Sequence, residues 1–462
     1  MRTFLVLIVL LVAGAGGAWY WAGTQPGPKI EILEPTKGVG QTGQMVIEVG
    51  APRDRLQQLD VYLEQNGERK ATLFSLSDAA QASMLTPQAD KVRIARTVGK
   101  QDLPDLQSGK ARIVASVVSP VLFGFRTVSA SADHEFEVHL TPPPVSVQSI
   151  HHFINQGGSE VVVYRTAAGA KSGVRVGDKE YPGFPAAGAG IAGASPELHV
   201  AFFALLWNQD PSTQISLFAR DDYGNESRAS FDYKVIPKKF RQSRIPLDDR
   251  FLGKVVPAIL ASTPDFKVQD PADLVASFLA INRDLRQQNN ATITELAQHS
   301  SPRILWQDTF KQLANTAVEA GFADQRSYIY RDQSIDQQTH LGFDLASTSN
   351  APVHASNSGT IVLAGWLGIY GNCVIIDHGM GLQSLYGHLS SIAVKVGDKV
   401  AANQELGRTG STGMAGGDHL HFTMLLNGNA VTPVDWWSKQ WIQDRIIRKF
   451  READIGAPAG TN

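Results

Sequence analysis

The sequence predicts a mainly β, multidomain protein with one apolar N-terminal helix and one helical stretch before its last domain. Three observations predict it. Short runs of alternating apolar and polar residues fill most of the 462-residue chain. Thr141-Pro142-Pro143-Pro144 interrupts them, and prolines cannot donate to a strand ladder. A helical period dominates only between residues 238 and 323. The length suits about three domains, and 43% hydrophobic with 19% charged residues is the mix of a folded chain. With 42 basic against 44 acidic residues, no global field argues for nucleic acid. A single cysteine, Cys373, rules out an intramolecular disulfide.

Residues 1–28 are expected to be a transmembrane anchor or signal peptide with a short stalk. No charge occurs between Arg2 and Lys29, and Phe4 to Ala22 is almost wholly apolar. Nineteen helical residues span about 28 Å, close to one hydrocarbon core. Trp19-Tyr20-Trp21 supplies interfacial aromatics, whereas Ala13-Gly14-Ala15 offers a cleavage site. Either reading exports the chain: it is anchored by one pass in the inner membrane or secreted into the periplasm.

Residues 29–140 read as a β-sandwich, with runs such as Met45–Val49 and Ala111–Ala115 burying alternate positions. Residues 141–237 read as a second one. Its segment from Ile215 to Asn225 resembles the final hairpin of bacterial immunoglobulin-like domains, and Gly224-Asn225 is expected to make a tight turn at positive φ. Residues 238–323 form a helical linker: Leu274, Phe278, Ile281 and Leu285 make one stripe, expected to be a packing face. Asp270-Pro271 is expected to cap that helix, and Asp248-Asp249 to begin another. Residues 324–438 form the last β domain, followed by a C-terminal tail, 439–462.

Histidines gather in that last domain, in four motifs: His340-Leu341-Gly342-Phe343-Asp344, Tyr370 to Gly379, Tyr386-Gly387-His388-Leu389-Ser390, and His419-Leu420-His421-Phe422. Residues i and i+2 of a strand share a face, so His419 and His421 project together, roughly 7 Å apart at their roots. Matching parity holds for His340 and Asp344 if their segment is extended, although Gly342 can bend it. Two imidazoles and a carboxylate with an open fourth position is the composition of a catalytic zinc site.

These motifs, in this order, resemble the LytM/lysostaphin family of zinc metallopeptidases over about a quarter of the chain. The resemblance implies that His340, Asp344 and His421 bind one Zn²⁺, with His388 and His419 as the catalytic pair beside the open position. It also implies an antiparallel β fold and a peptide cross-link of bacterial peptidoglycan as substrate. The remaining expectations are contact with the inner membrane through the N-terminal helix, possible envelope-protein partners, and no nucleic acid. The rivals are a non-catalytic activator of a cell-wall amidase and a protease of exported proteins. Two positions depart from the family pattern: Asp418, expected to alter groove charge, and Thr423, where glutamate is common. A tyrosine that assists the reaction in the family lies upstream of the first ligand, near Tyr328 and Tyr330. Cys373 and His378 are expected to be structural.

Overall fold

The computed structural model describes residues 2–454. They form two compact units, one of the residues up to Pro143 with Arg220–Ser227, the other of Pro144–Ala219 with the described residues from Arg228 onward.

The first unit opens with helix α1 (Arg2–Gly23), long and apolar enough to cross a membrane, with its apolar window exposed. Two sheets follow. One joins Ile30–Glu34, Gln44–Val49, Val92–Thr97 and Thr86–Pro87. The other includes Gln58–Gln65 and a long hairpin of β1 (Gly109–Val121) and β2 (Arg126–Val138), paired along its whole length. Alternation does what the sequence suggests: Leu59, Val61 and Leu63, and Ala111, Ile113, Ala115 and Val117, turn inward. With Ile47, Val49 and Ile94 of the other sheet they make one core, the arrangement of a β-sandwich. In the expected Gly-Asn turn only Gly224 has positive φ, at 85°. Asn225 instead buries its amide, accepting from Gln41 N–H at 2.8 Å and donating to the His139 carbonyl at 2.7 Å. The position uses its side chain as well as its backbone, whose N–H donates to Asp221 Oδ1 at 2.9 Å.

In the second unit, Ser159–Thr166 and Leu198–Ala204 pair in a sheet whose buried face includes Val161, Val163, Phe202 and Ala204. This face shares one hydrophobic core with Trp306, Phe422, Trp436, Ile442 and Ile446 from the C-terminal part. Residues 439–454, expected as a tail, are helical and bury Ile442 and Ile446 in that core.

Between these parts lie β3 (Gln242–Leu247), α2 (Asp249–Ser262), α3 (Leu274–Ala280), a π-helical turn (Ile281–Leu285) and α4 (Arg286–Ala297). Asp248 caps α2 by accepting from Phe251 N–H at 2.7 Å. The cap of α3 is Asp273, not Asp270: Asp273 accepts from Ala276 N–H, while Asp270 closes a turn onto Ala272 N–H. Phe278, Ile281 and Leu285 are buried against Tyr328 and Ile369, so the stripe is a packing face.

The last domain is built on a long antiparallel sheet. Its central strands, in spatial order, are β6 (Phe343–Ala346), β10 (Leu420–Leu426), β9 (Leu382–Leu389), β8 (Asn372–Gly379) and β7 (Gly359–Trp366). A second, three-stranded sheet joins β3 to β4 (Asp324–Tyr330) in parallel and β4 to β5 (Gln333–His340) antiparallel.

Candidate metal centre

Register brings the site together. Asp344 on β6 stands opposite His421 on β10, and His421 stands opposite Gly387 on β9. His388 follows directly, in the left-handed region at φ 63° and at a bulge that ends the β8–β9 ladder's regular pairing. Bulges re-aim side chains, and non-glycine residues adopt this conformation only where the surroundings enforce it. His340 ends β5, and Leu341-Gly342 carries the chain into β6. A Cβ at Gly342 would sit 2.6 Å from the His421 ring and from Thr423 Oγ1. The glycine between the first two motif residues is thus the space the third one occupies.

Three donor atoms converge. Asp344 Oδ1 lies 2.9 Å from His340 Nε2 and 3.0 Å from His421 Nδ1, and the two imidazole nitrogens are 3.0 Å apart. All three residues are buried. Their outer partners decide which atoms carry protons. His340 donates its Nδ1–H to the Gly321 carbonyl at 3.1 Å. Thr423 donates its hydroxyl to the Leu341 carbonyl at 3.0 Å, so the same oxygen accepts from His421 Nε2–H at 3.0 Å. Neutral imidazoles so held turn lone pairs, not protons, toward one another and toward the carboxylate. Three mutually repelling lone pairs in a buried site are relieved by a cation, and two nitrogens with one oxygen suit Zn²⁺.

The charges fit the same reading. Burial opposes ionisation of Asp344, yet its histidine neighbours, His340 foremost, hold it well below the usual carboxylate range. Burial pulls His421 down to about 4, leaving it neutral near pH 7. The second oxygen of Asp344 accepts from Arg326 at 3.0 Å, and Arg326 also approaches Asp324 at 3.4 Å. Arg326 therefore occupies Oδ2 and leaves Oδ1 to face the two histidines.

His388 and His419 flank this group, with ring centroids 4.9 Å apart. Each donates Nδ1–H to a backbone carbonyl, of Thr412 at 2.8 Å and of Gly417 at 2.9 Å. Each neutral ring thus keeps a lone pair on Nε2. Burial, reinforced by the neighbouring histidines, holds His388 well below its ordinary value. Burial also acts to lower His419, but the hydrogen bond and charge of Asp344 raise it on balance.

All five residues line one cleft of 810 Å³. β3 and the helical segment supply part of its wall, through Arg244 and Arg286. Tyr328 lines the cleft, whereas the Tyr330 hydroxyl donates to Asp249 at 2.6 Å and lies off it. Asp418 is not among the lining residues; its carboxylate accepts from Asn350 N–H at 3.0 Å and holds a loop. His378 is buried elsewhere, donating to the Ser358 carbonyl and bonding the Ser384 hydroxyl, and Cys373 is fully buried in β8.

Sequence reasoning missed four contributors. Thr423 could have been found, since it shares a strand face with His421 two residues before it. Arg326 gave no signal, because its partner is 18 residues away. Tyr370 opens one of the four motifs but was given no role, and its ring lies 5.5 Å from that of His421. Asn289 of α4 gave no signal; its side-chain oxygen accepts from Ile369 N–H at 3.0 Å and so fixes the turn that carries Tyr370.

The family model described as Peptidase family M23 matches residues 338–433. The DD-carboxypeptidase/endopeptidase Mpg of Neisseria meningitidis is 42% identical over 95 residues, 21% of this chain and 22% of that protein. The murein hydrolase activator EnvC of Escherichia coli is 36% identical over 107 residues, 23% of this chain and 26% of EnvC. The peptidoglycan DD-endopeptidase ShyA of Vibrio cholerae is 39% identical over 92 residues, 20% of this chain and 21% of ShyA. The chain thus spans about a fifth to a quarter of the length of these relatives. The C-terminal region of this chain is a peptidase family M23 domain.

Proposed function

We propose that the chain is a zinc-dependent endopeptidase that hydrolyses peptide cross-links of bacterial peptidoglycan from the periplasmic side of the inner membrane. One observation carries the reading: three buried lone-pair donors, on His340, Asp344 and His421, converge within 3.0 Å of one another beside two further histidines. The likeness to ShyA, a peptidoglycan DD-endopeptidase, supports the choice of substrate.

His340, Asp344 and His421 would hold the metal. Zinc bound there supplies a Lewis acid that polarises a carbonyl and brings the pKa of water toward ~7. His388, neutral and with a free Nε2, is suited to accept a proton. His419 is suited to hold or return one, although its raised pKa depends on an Asp344 charge that a bound cation would largely neutralise. Burial of both rings excludes competing water and strengthens their electrostatic effect. In this scheme α1 anchors the protein, and the β modules, which we read as immunoglobulin-like, serve as spacers.

The test is mass spectrometry of muropeptides after incubation of sacculi with the wild type and with His388→Ala, alongside zinc content. The expectation is cleavage by the wild type, none by the variant, and about one zinc per chain in both. Unchanged products from the variant would remove His388 from the mechanism. A wild type that purifies without zinc and cleaves nothing would favour an activator, the role named for EnvC.

A further inference from the structure

The first unit carries an apolar feature that the peptidase reading does not use. β1 and β2 are joined by a turn, Leu122–Gly124, followed by Phe125. Phe123 is 99% exposed and Phe125 is 80% exposed. Two phenyl rings held in water at a hairpin tip are costly to solubility and contribute nothing to the core of this unit. Leu122 and Phe123 also adopt φ of 51° and 56°, a conformation non-glycine side chains enter rarely. The turn therefore displays its rings when an ordinary turn residue would serve the hairpin better.

The neighbour of this tip is α1. Arg126, the first residue of β2, donates to the Trp19 carbonyl at 2.6 Å and lays its guanidinium 3.9 Å from the Trp19 ring centroid. Downstream the same alignment continues, with Gly23 against Arg126, and Gly27 against Ser129 and Ala130. The chain leaving α1 thus runs beside β2 in the same direction. Moving along β2 away from the tip follows the chain away from α1; moving toward the tip leads back to Trp19 and the apolar span. Trp19, Tyr20 and Trp21 are the residue types that settle at a bilayer interface. Phe123 and Phe125 lie within three residues of Arg126, and so within roughly 10 Å of that level.

We propose that the β1–β2 hairpin tip is a second membrane contact, with Phe123 and Phe125 inserted into the interface of the bilayer that α1 crosses. The occupant of the apolar tip is lipid, because the tip is tied to the interfacial end of α1. Such a contact converts a single flexible tether into a two-point attachment and fixes the tilt of the first unit on the membrane. It rests on α1 being retained as an anchor.

The experiment uses the full chain made by cell-free synthesis into lipid nanodiscs, where no peptidase removes α1. Phe123→Cys is labelled with an environment-sensitive fluorophore. Cys373 is fully buried and stays unlabelled. The control is Asn66→Cys, an exposed turn residue at the opposite end of the same sheet. Expected is a blue-shifted emission at position 123, with several-fold stronger quenching by lipids carrying a nitroxide high on the acyl chain than at position 66. Equal quenching at the two positions overturns the proposal. So does a blue shift without nitroxide quenching, which would mean that protein, a second copy included, covers the tip. Co-purification with the nanodisc reports α1 separately: a chain that fails to associate refutes both the anchor and the tip, whereas association without quenching refutes the tip alone.

Discussion

Thr423→Val tests whether the outer hydrogen bonds, and not only the three donors, make the proposed metal site. Valine keeps the shape but removes a hydroxyl that accepts from His421 Nε2–H and donates to the Leu341 carbonyl, each at 3.0 Å. The residue is 2% exposed, so water does not replace it. Without that acceptor, His421 loses the reason to keep its proton on Nε2. The alternative tautomer places it on Nδ1, 3.0 Å from Asp344 Oδ1, and so blocks the donor atom. Outer-shell losses of this kind weaken metal binding about 10–100-fold, or about 1.4–2.7 kcal/mol. Leaving one buried donor unpaired should also cost the metal-free protein about 1–3 kcal/mol of stability. Zinc affinity by chelator competition at pH 7 measures the first effect. The imidazole nitrogen shifts of His421, in metal-free protein, report the tautomer directly. Thr423→Ser keeps the hydroxyl and should bind zinc within about threefold of wild type. Wild-type affinity in the valine variant, or equal losses in valine and serine, would refute the reasoning.

Two further predictions concern buried charges of the same unit. Lys449 donates to Glu160 at 2.7 Å and to the Val161 carbonyl at 2.9 Å, with the two side chains 2% and 0% exposed. Lys449→Met strands the carboxylate and should cost about 3–5 kcal/mol in urea unfolding, whereas adding Glu160→Gln should recover part of it; a single-variant cost below about 1 kcal/mol would contradict this. Burial raises Asp435 from 3.8 to about 6, and one of its oxygens has no partner. The folded state therefore keeps a proton that the unfolded state has lost across that window, so stability falls as pH rises from about 4 to 6, by about 3 kcal/mol in total. Asp435→Asn removes the titration; its stability relative to wild type should climb over the same window and then level, and a pH-independent difference would sink the claim.

The sequence exposed the histidine cluster better than the architecture around it. His340, Asp344, His388, His419 and His421 were readable because strand parity and motif order are local properties, and the cross-strand register of Asp344 with His421 completed what parity began. Alternation likewise announced the strands of the first unit, and spacing announced the Phe278–Leu285 stripe. Most of what stayed hidden depends on partners distant in sequence. Asp273 displaced Asp270 as a cap because only its carboxylate reaches a helical N–H of α3. Asn225 matters through Gln41 and His139, residues that no window around a turn includes. Arg326 and Asn289 act on the cleft from strands and helices that flank the recognisable motifs.

The core shared by the second β region and the peptidase motifs bears on how the family-matched part is to be isolated. Trp436 is fully buried, its indole N–H donates to Ser159 at 3.0 Å, and its ring lies near that of Phe202. A fragment trimmed to the family-matched stretch, 338–433, would omit Trp436, Ile442 and Ile446 and lose the β region they pack against. It would turn much of an interior into surface, so inactivity of such a fragment would say nothing about its histidines. The smallest fragment that keeps this interior closed begins near Pro144 and runs through the C-terminal helix.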